Sequence, residues 1–256
     1  MNAADHPNHL HVEQKGAVRI LTIDRPRSKN ALHAQLRVDL CNAFAEADRD
    51  NDVAVVVLTA VDPVFSAGVD FKMLDPVPGS TGSPLEINPA SALRAMRKPV
   101  IAAVNGACVS GALEMALSCS FIVASDQARF ADTHARLGVV PTWGLTALLP
   151  RAVGVRVARE MSITGAFIDA AEAHRLGLAN HVVPHGELLA FTLDLASRVP
   201  PQPAVGEMLD LYARGEDLSL AGSLAAETRH SIGKTYDLAA FTQAGSATAA
   251  SQREES

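Results

Sequence analysis

Aromatic residues are scarce: one tryptophan, two tyrosines and eight phenylalanines in 256 residues. Apolar residues nevertheless make up 48% of the chain, so a large core can be buried, packed mainly from alanine, valine and leucine. Cysteine is also sparse. Cys41, Cys108 and Cys119 are an odd set without CxxC spacing, which excludes a disulfide framework and fits reduced thiols in a cytoplasmic protein. Basic charge is neither in excess nor clustered, the net charge being −6. A nucleic-acid partner is therefore not expected, because neutralising phosphates needs a concentrated basic surface. The start, "MNAADHPNHLHVEQ", has no apolar h-region and reads as no signal peptide. Residues 1–9 read as a flexible leader, and His6, His9 and His11, which could bind a metal weakly, read instead as part of a ragged polar stretch. The longest apolar run, residues 99–117, is interrupted by Asn105, Ser110, Glu114 and two glycines. It reads as strand, loop and helix, and no membrane span is expected. Also missing are GxGxxG after a strand, GxxxxGK[ST], GxSxG and HExxH. No cluster of His, Cys and carboxylates has metal-ligand spacing, so no metal is expected.

What is present is a recurring strand–turn–helix pattern. "AVRILTID" (residues 17–24) alternates and is β-branched, a strand that ends at Arg25-Pro26. Leu32, Leu36, Leu40 and Phe44 then fall at four-residue spacing, the mark of an amphipathic helix. "VAVVVLTA" (residues 53–60) is continuously apolar, as in a strand covered on both faces. "KPVIAAV", "NGACVSG", "ALEMALS" and "FIVAS" read as strand, glycine loop, helix and strand. Units of this kind predict an α/β fold with parallel strands. Beyond Gly144 the pattern turns helical, with one strand near "ANHVVP". Between the first units lies a Pro, Gly and Ser-rich loop, residues 74–89, of the length used for lids and binding loops.

Two glycine loops are candidates for chemistry. "FSAGVDF" follows a buried strand, and "NGACVSGALEMA" opens a helix at Gly111. Each leaves backbone N–H groups without intrahelical partners, and a helix N-terminus favours negative charge. If Val69 N–H and Gly111 N–H converge, they make a two-donor oxyanion hole. The alternative is that both glycines serve only tight turns. A carboxylate inside "GALEMALS" is costly to bury unless Glu114 has a partner or a task.

"RPRSKNAL", "FSAGVDF", "KPVIAAVNGACVSGALEMALSCSFIVAS", "ARFADTHARLGVVPTWG" and "EAHRLGLANHVV" together resemble the crotonase superfamily, the enoyl-CoA hydratase and isomerase family, in order and spacing over residues 10–200. The resemblance implies a spiral of ββα units with a C-terminal helical trimerisation region, here residues 201–256, and a homotrimer or hexamer. It implies an acyl-CoA thioester as substrate, with coenzyme A part of that substrate and no separate cofactor. The activity it implies is hydration of a trans-2-enoyl-CoA through an enolate. Isomerisation, another reaction of the same enolate and silent acyl-CoA binding are the alternatives. Carried over by position, Val69 and Gly111 are the oxyanion donors. Ala67 and Gly68 lie along the pantetheine arm and adenine edge. Arg25, Lys29 and Ala31 resemble the segment that meets the nucleotide, Asp70 is a further binding residue, and Trp143 walls the acyl pocket. Lys29 suits a phosphate as a point charge, or is simply a solvated surface residue.

Glu114 aligns with the first glutamate of hydratases, and burial would raise its pKa toward that of a general base. The second glutamate position falls on His134, a departure from the family pattern. A histidine can exchange a proton near neutrality, or hold a water with one ring nitrogen while the other meets Asp132 or a backbone carbonyl. The competing reading has Asp132 or Thr133 capping a helical turn while His134 fills space. A second departure is the C-terminus, which keeps Phe241 but lacks the basic cluster that reaches CoA in relatives.

Overall fold

The computed structural model describes residues 9–71 and 86–234. Most of the expected leader, most of the 74–89 loop and Phe241 lie outside the described residues. Two compact units are defined, residues 1–209 and 210–256.

In the first unit the chain alternates between two sheets. The larger has the order β1-β2-β3-β5-β7-β10 and the smaller β4-β6-β8-β9. β1 (Leu10–Lys15) pairs antiparallel with β2 (Val18–Ile23), and β3 (Val55–Ala60), β5 (Val100–Val104), β7 (Phe121–Ser125) and β10 (His181–Val183) continue the sheet in parallel. β4 (Val64–Ser66), β6 (Ala107–Val109) and β8 (Arg129–Ala131) run parallel to one another, with β9 (Phe167–Asp169) antiparallel at the edge. After the β1–β2 hairpin, from β3 onward, each turn therefore lays one strand in each sheet.

The parallel strands expected from the apolar runs are present. β1 was not expected: its pattern has one buried residue followed by five exposed ones, so polarity hides it. β6 occupies what reads as a pure glycine loop, "NGACVSG". A three-residue strand is too short to show a period; it exists because β4 and β8 flank it.

Alternation along the large sheet divides two cores. Val18, Ile20, Val55, Val57, Ile101, Ala103 and Val123 face Leu188 and Ala196 of α7 (Leu188–Ser197). Leu21, Ile23, Val56, Leu58, Ala102, Val104, Ile122 and Ala124 face the main core. That is why all six residues of β3 are buried, as expected for a strand covered on both sides. α1 (Ala34–Arg49) buries Leu36, Leu40, Ala43, Phe44 and Ala47, including three of the four residues of the expected stripe; the fourth, Leu32, precedes the helix and bridges Val69. α2 (Pro89–Arg94) packs beside it and α3 (Gly111–Ser118) packs on α2, followed by α4 (Leu145–Val153), α5 (Val155–Thr164) and α6 (Ala170–Leu176). α8 (Pro203–Gly215) and α9 (Leu220–Ser231) complete the described residues. No described helix is long and apolar enough to cross a membrane.

His33 closes the start of α1, its Nδ1 accepting the Leu36 N–H at 3.2 Å. Burial first, then the positive charges of Arg25 and His9, push its pKa from 6.5 down to about 4. The folded chain keeps this ring neutral where the unfolded chain would protonate it. The sign follows: the contribution is complete above pH 6.5 and is lost as pH falls toward 4, up to about 3 kcal/mol. Urea denaturation at neutral pH and near pH 4.5, on wild type and on His33→Asn, checks this. Asn keeps a capping acceptor, so the variant should lose most of the acid slope; an unchanged slope would place the sensitivity elsewhere.

Candidate active site

The two glycine loops meet. After β4 the chain turns at Gly68 (φ 88°), and Val69 is held by an isolated bridge to Leu32. Leu32 N donates to Gly68 O at 2.8 Å, Asp70 N to Leu32 O at 3.1 Å and Ala67 N to Lys29 O at 3.0 Å. A Cβ on Gly68 would stand 2.8 Å from Val109 O and 3.2 Å from Gly111 N. Glycine is required there, both for the left-handed turn and for the close approach of the β6–α3 corner. A Cβ on Gly111 would lie 3.5 Å from Val69 N, so the two amides are neighbours. Neither Val69 N nor Gly111 N donates a hydrogen bond to the protein. Two such donors at the start of α3 can stabilise a negative oxygen.

Ser110 sets the corner. Its φ of 50° and ψ of −110° are costly for a residue with a Cβ, on the order of 1–3 kcal/mol. Its N–H donates to Ala131 O at 2.9 Å. Its Oγ accepts the Thr133 N–H at 2.9 Å and bonds Thr133 Oγ1 at 2.8 Å. The strained residue thus ties the corner of Gly111 to the segment that carries His134.

Glu114 lies one helical turn beyond Gly111 and is 2% exposed. One oxygen, Oε1, accepts the Trp143 N–H at 2.7 Å and the Leu145 N–H at 3.2 Å. Gly144, with φ 118°, permits the turn that aims both amides at one atom. Oε2 faces His134, with 3.7 Å to Nε2. Burial raises the Glu114 pKa, opposed by the two amides and by His134, and the Asp132 charge adds to the rise.

His134 is 7% exposed, and its Nδ1 stands 2.6 Å from Asp132 Oδ1. The same oxygen accepts the His134 backbone N–H at 3.1 Å. Asp132 is 1% exposed. Burial works to raise its pKa, but hydrogen bonds from the His134 ring, Ser162 and the His134 N–H outweigh it and hold the carboxyl low. With Asp132 ionised, Nδ1 carries a proton and Nε2 is left to face Glu114. The line Asp132–His134–Glu114 has the geometry in which an acid–base pair could work with an orienting carboxylate behind it. His134 does stand at the start of a short 3-10 turn, but with no side-chain cap to it; the Asp132 side chain goes to His134 itself.

The remaining candidates divide. Trp143 packs its ring against Gly111, Cζ3 lying 3.2 Å from the position of a Cβ there. Arg25 is turned inward, 2.6 Å from Asp70 Oδ2 and 3.0 Å from Ala31 O, so Arg25, Ala31 and Asp70 brace the Val69 loop. Lys29 and Ala67 are exposed on that rim. Two contributors escaped the sequence. Asn30 is fully buried, donating to Val61 O and Val64 O at 2.7 Å each and accepting the Arg25 N–H. Ser110 is the other. Their polar side chains carry no periodic signal; Asn30 in "SKN" offered only a turn-former after Pro26. No group of His, Cys, Asp and Glu capable of holding a metal occurs among the described residues.

Paired strands alternating between two sheets, with two amides converging beside a buried carboxylate, define the crotonase class of α/β proteins. Within that class, the chain belongs to the enoyl-CoA hydratase/isomerase family, whose model matches residues 13–230. It is 39% identical over 188 residues to a probable peroxisomal enoyl-CoA hydratase 1 of Arabidopsis thaliana, covering 73% of this chain and 71% of that protein. It is 36% identical over 223 residues to a probable enoyl-CoA hydratase of Rhizobium meliloti, covering 86% and 87%. The crystal structure of an enoyl-CoA hydratase from Mycobacterium smegmatis superimposes with a TM-score of 0.73 at 44% identity, covering 88% of this chain and 96% of that one.

Proposed function

We propose that the protein hydrates a trans-2-enoyl-CoA. The observation that carries this is the pair of unengaged amides, Val69 N–H and Gly111 N–H, one helical turn from a buried Glu114 with one oxygen pinned. The thioester oxygen sits between the amides, which gain strength as enolate charge develops, each worth roughly 3–4 kcal/mol in the transition state. Two polar atoms 3.7 Å apart, Glu114 Oε2 and His134 Nε2, can both reach one water oxygen at about 2.8 Å. Glu114 takes a proton as that water adds to Cβ. The imidazolium of His134 gives a proton to Cα, and Asp132 stabilises the charged ring beforehand and fixes its orientation, as the buried carboxylate does in a catalytic triad. The proton on Glu114 then returns to His134, and one water has been added overall.

Gly68 and Ala67 suit the pantetheine arm, exposed Lys29 suits a CoA phosphate, and Trp143 suits the wall of the acyl pocket. Coenzyme A enters as part of the substrate. Arg25 and Asp70 support binding through the loop they brace. The exposed Met208, Tyr212, Leu220 and Leu224 of α8 and α9 fit self-association to a trimer or hexamer. The free thiols fit a reducing, cytoplasmic setting.

Incubation with a trans-2-enoyl-CoA should consume the conjugated thioester and yield the 3-hydroxyacyl-CoA, with solvent deuterium entering at Cα. Migration of the double bond without water uptake would replace hydration by isomerisation. Binding without any turnover would reduce the chain to a silent acyl-CoA binder.

A further inference from the structure

Arg37 is a buried cation that the mechanism above does not use. It projects from α1 and is 0% exposed. Its Nη1 donates to Ile87 O at 3.2 Å, while Nε and Nη2 make no hydrogen bond. Among the described residues no carboxylate pairs with it. The guanidinium carbon stands 5.9 Å from the centroid of the Trp143 ring, the outer edge of a useful cation–π contact. One hydrogen bond and one distant ring do not replace the hydration a guanidinium gives up on burial. A residue of this kind in a core is normally paired. The geometry therefore asks for an anion.

The two unengaged donors also have a specific form. Nε and Nη2 lie along one edge of the guanidinium, and their N–H bonds run parallel, the fork that matches a carboxylate with two bonds. Trp143 fixes where that carboxylate would come from. Its ring rests on Gly111 on one side and under Arg37 on another, while its backbone N–H holds Glu114. The indole thus lies between Gly111 and Arg37, so an acyl chain whose thioester oxygen meets Gly111 N–H and which follows the indole runs toward Arg37.

We propose that Arg37 reads the far end of the acyl chain, and that the preferred substrate is an acyl-CoA ending in a carboxylate rather than a methyl group. The inference rests on the acyl-CoA reading of the site. Lysine in its place would supply charge without the fork, and an aliphatic residue neither.

Calorimetric binding of non-reacting, saturated thioesters separates this proposal from the hydratase assignment, because no turnover is needed. Glutaryl-CoA is compared with pentanoyl-CoA, and adipoyl-CoA with hexanoyl-CoA, on wild type, Arg37→Lys and Arg37→Met. Wild type should bind the carboxylate-ended member of at least one pair ten- to a hundredfold more tightly, the range of a charged hydrogen-bonded pair. Arg37→Met should erase that ratio and Arg37→Lys should keep part of it. A wild-type preference for the methyl-ended member at both lengths overturns the proposal, whether or not the variants fold. So does a ratio that Arg37→Met leaves unchanged. Failure of all four thioesters to bind would instead overturn the acyl-CoA reading itself.

Discussion

Replacing Glu114 with glutamine should lower turnover by about two to four orders of magnitude while leaving acyl-CoA binding and the fold in place. The rate effect is that of a lost general base, roughly 3–5 kcal/mol of barrier. The fold survives because of how the carboxylate is held. Glutamine can place its carbonyl where Oε1 now accepts from Trp143 and Leu145, so neither amide is orphaned. Its NH2 then takes the position of Oε2, facing His134, where it cannot accept a proton from water. Burial raises the Glu114 pKa, so the acid limb of the wild-type kcat/KM profile should lie above the ordinary carboxylate range. Stopped turnover with an unchanged Kd for a saturated acyl-CoA is the expected pair of readings. Turnover within a few-fold of wild type would remove Glu114 from the chemistry and leave it as a brace for the Trp143 turn.

The second large effect concerns the residue at which this chain departs from its relatives. His134→Ala and Asp132→Asn should each lower kcat by about two to four orders of magnitude, with KM changing little, as expected for a proton donor and the carboxylate that holds it in register. A residue that merely caps a turn would affect stability and not the pH profile. The profile is therefore the decisive measurement. His134→Ala and Asp132→Asn should both change the profile, because each removes part of the proton-transfer unit. The double variant should be little worse than either single one, since the two act as one unit. Additive losses, or a profile that neither substitution moves, would return the segment to a structural role.

Much of this architecture was legible before any coordinates. The four-residue spacing of Leu36, Leu40 and Phe44, the continuous apolar run of β3 and the repeat of strand, turn and helix have one buried solution each. Burial enforces a period that a sequence displays. The three-residue strands β4, β6, β8 and β9 display none. They form because a neighbouring turn of the spiral presents edges to them, and β1 was masked by a face that is polar throughout. Within the site, Gly68 and Gly111 were recognisable because a left-handed turn and a close approach leave glycine alone able to serve. Asn30 and Ser110 carry no such constraint in sequence, and their importance arises from partners 23 to 34 residues away.

The sequence by itself determined the family, the α/β alternation and the presence of one carboxylate too buried to be idle. It also showed that the second glutamate position falls on His134, without showing what stands at either nitrogen of that ring. That was decided by tertiary structure: Asp132 Oδ1 lies 2.6 Å from Nδ1 and Glu114 Oε2 lies 3.7 Å from Nε2. The orientation of an imidazole depends on what stands at each of its two nitrogens. Here one neighbour is two residues away and the other twenty, brought together only when α3 packs beneath the turn after β8.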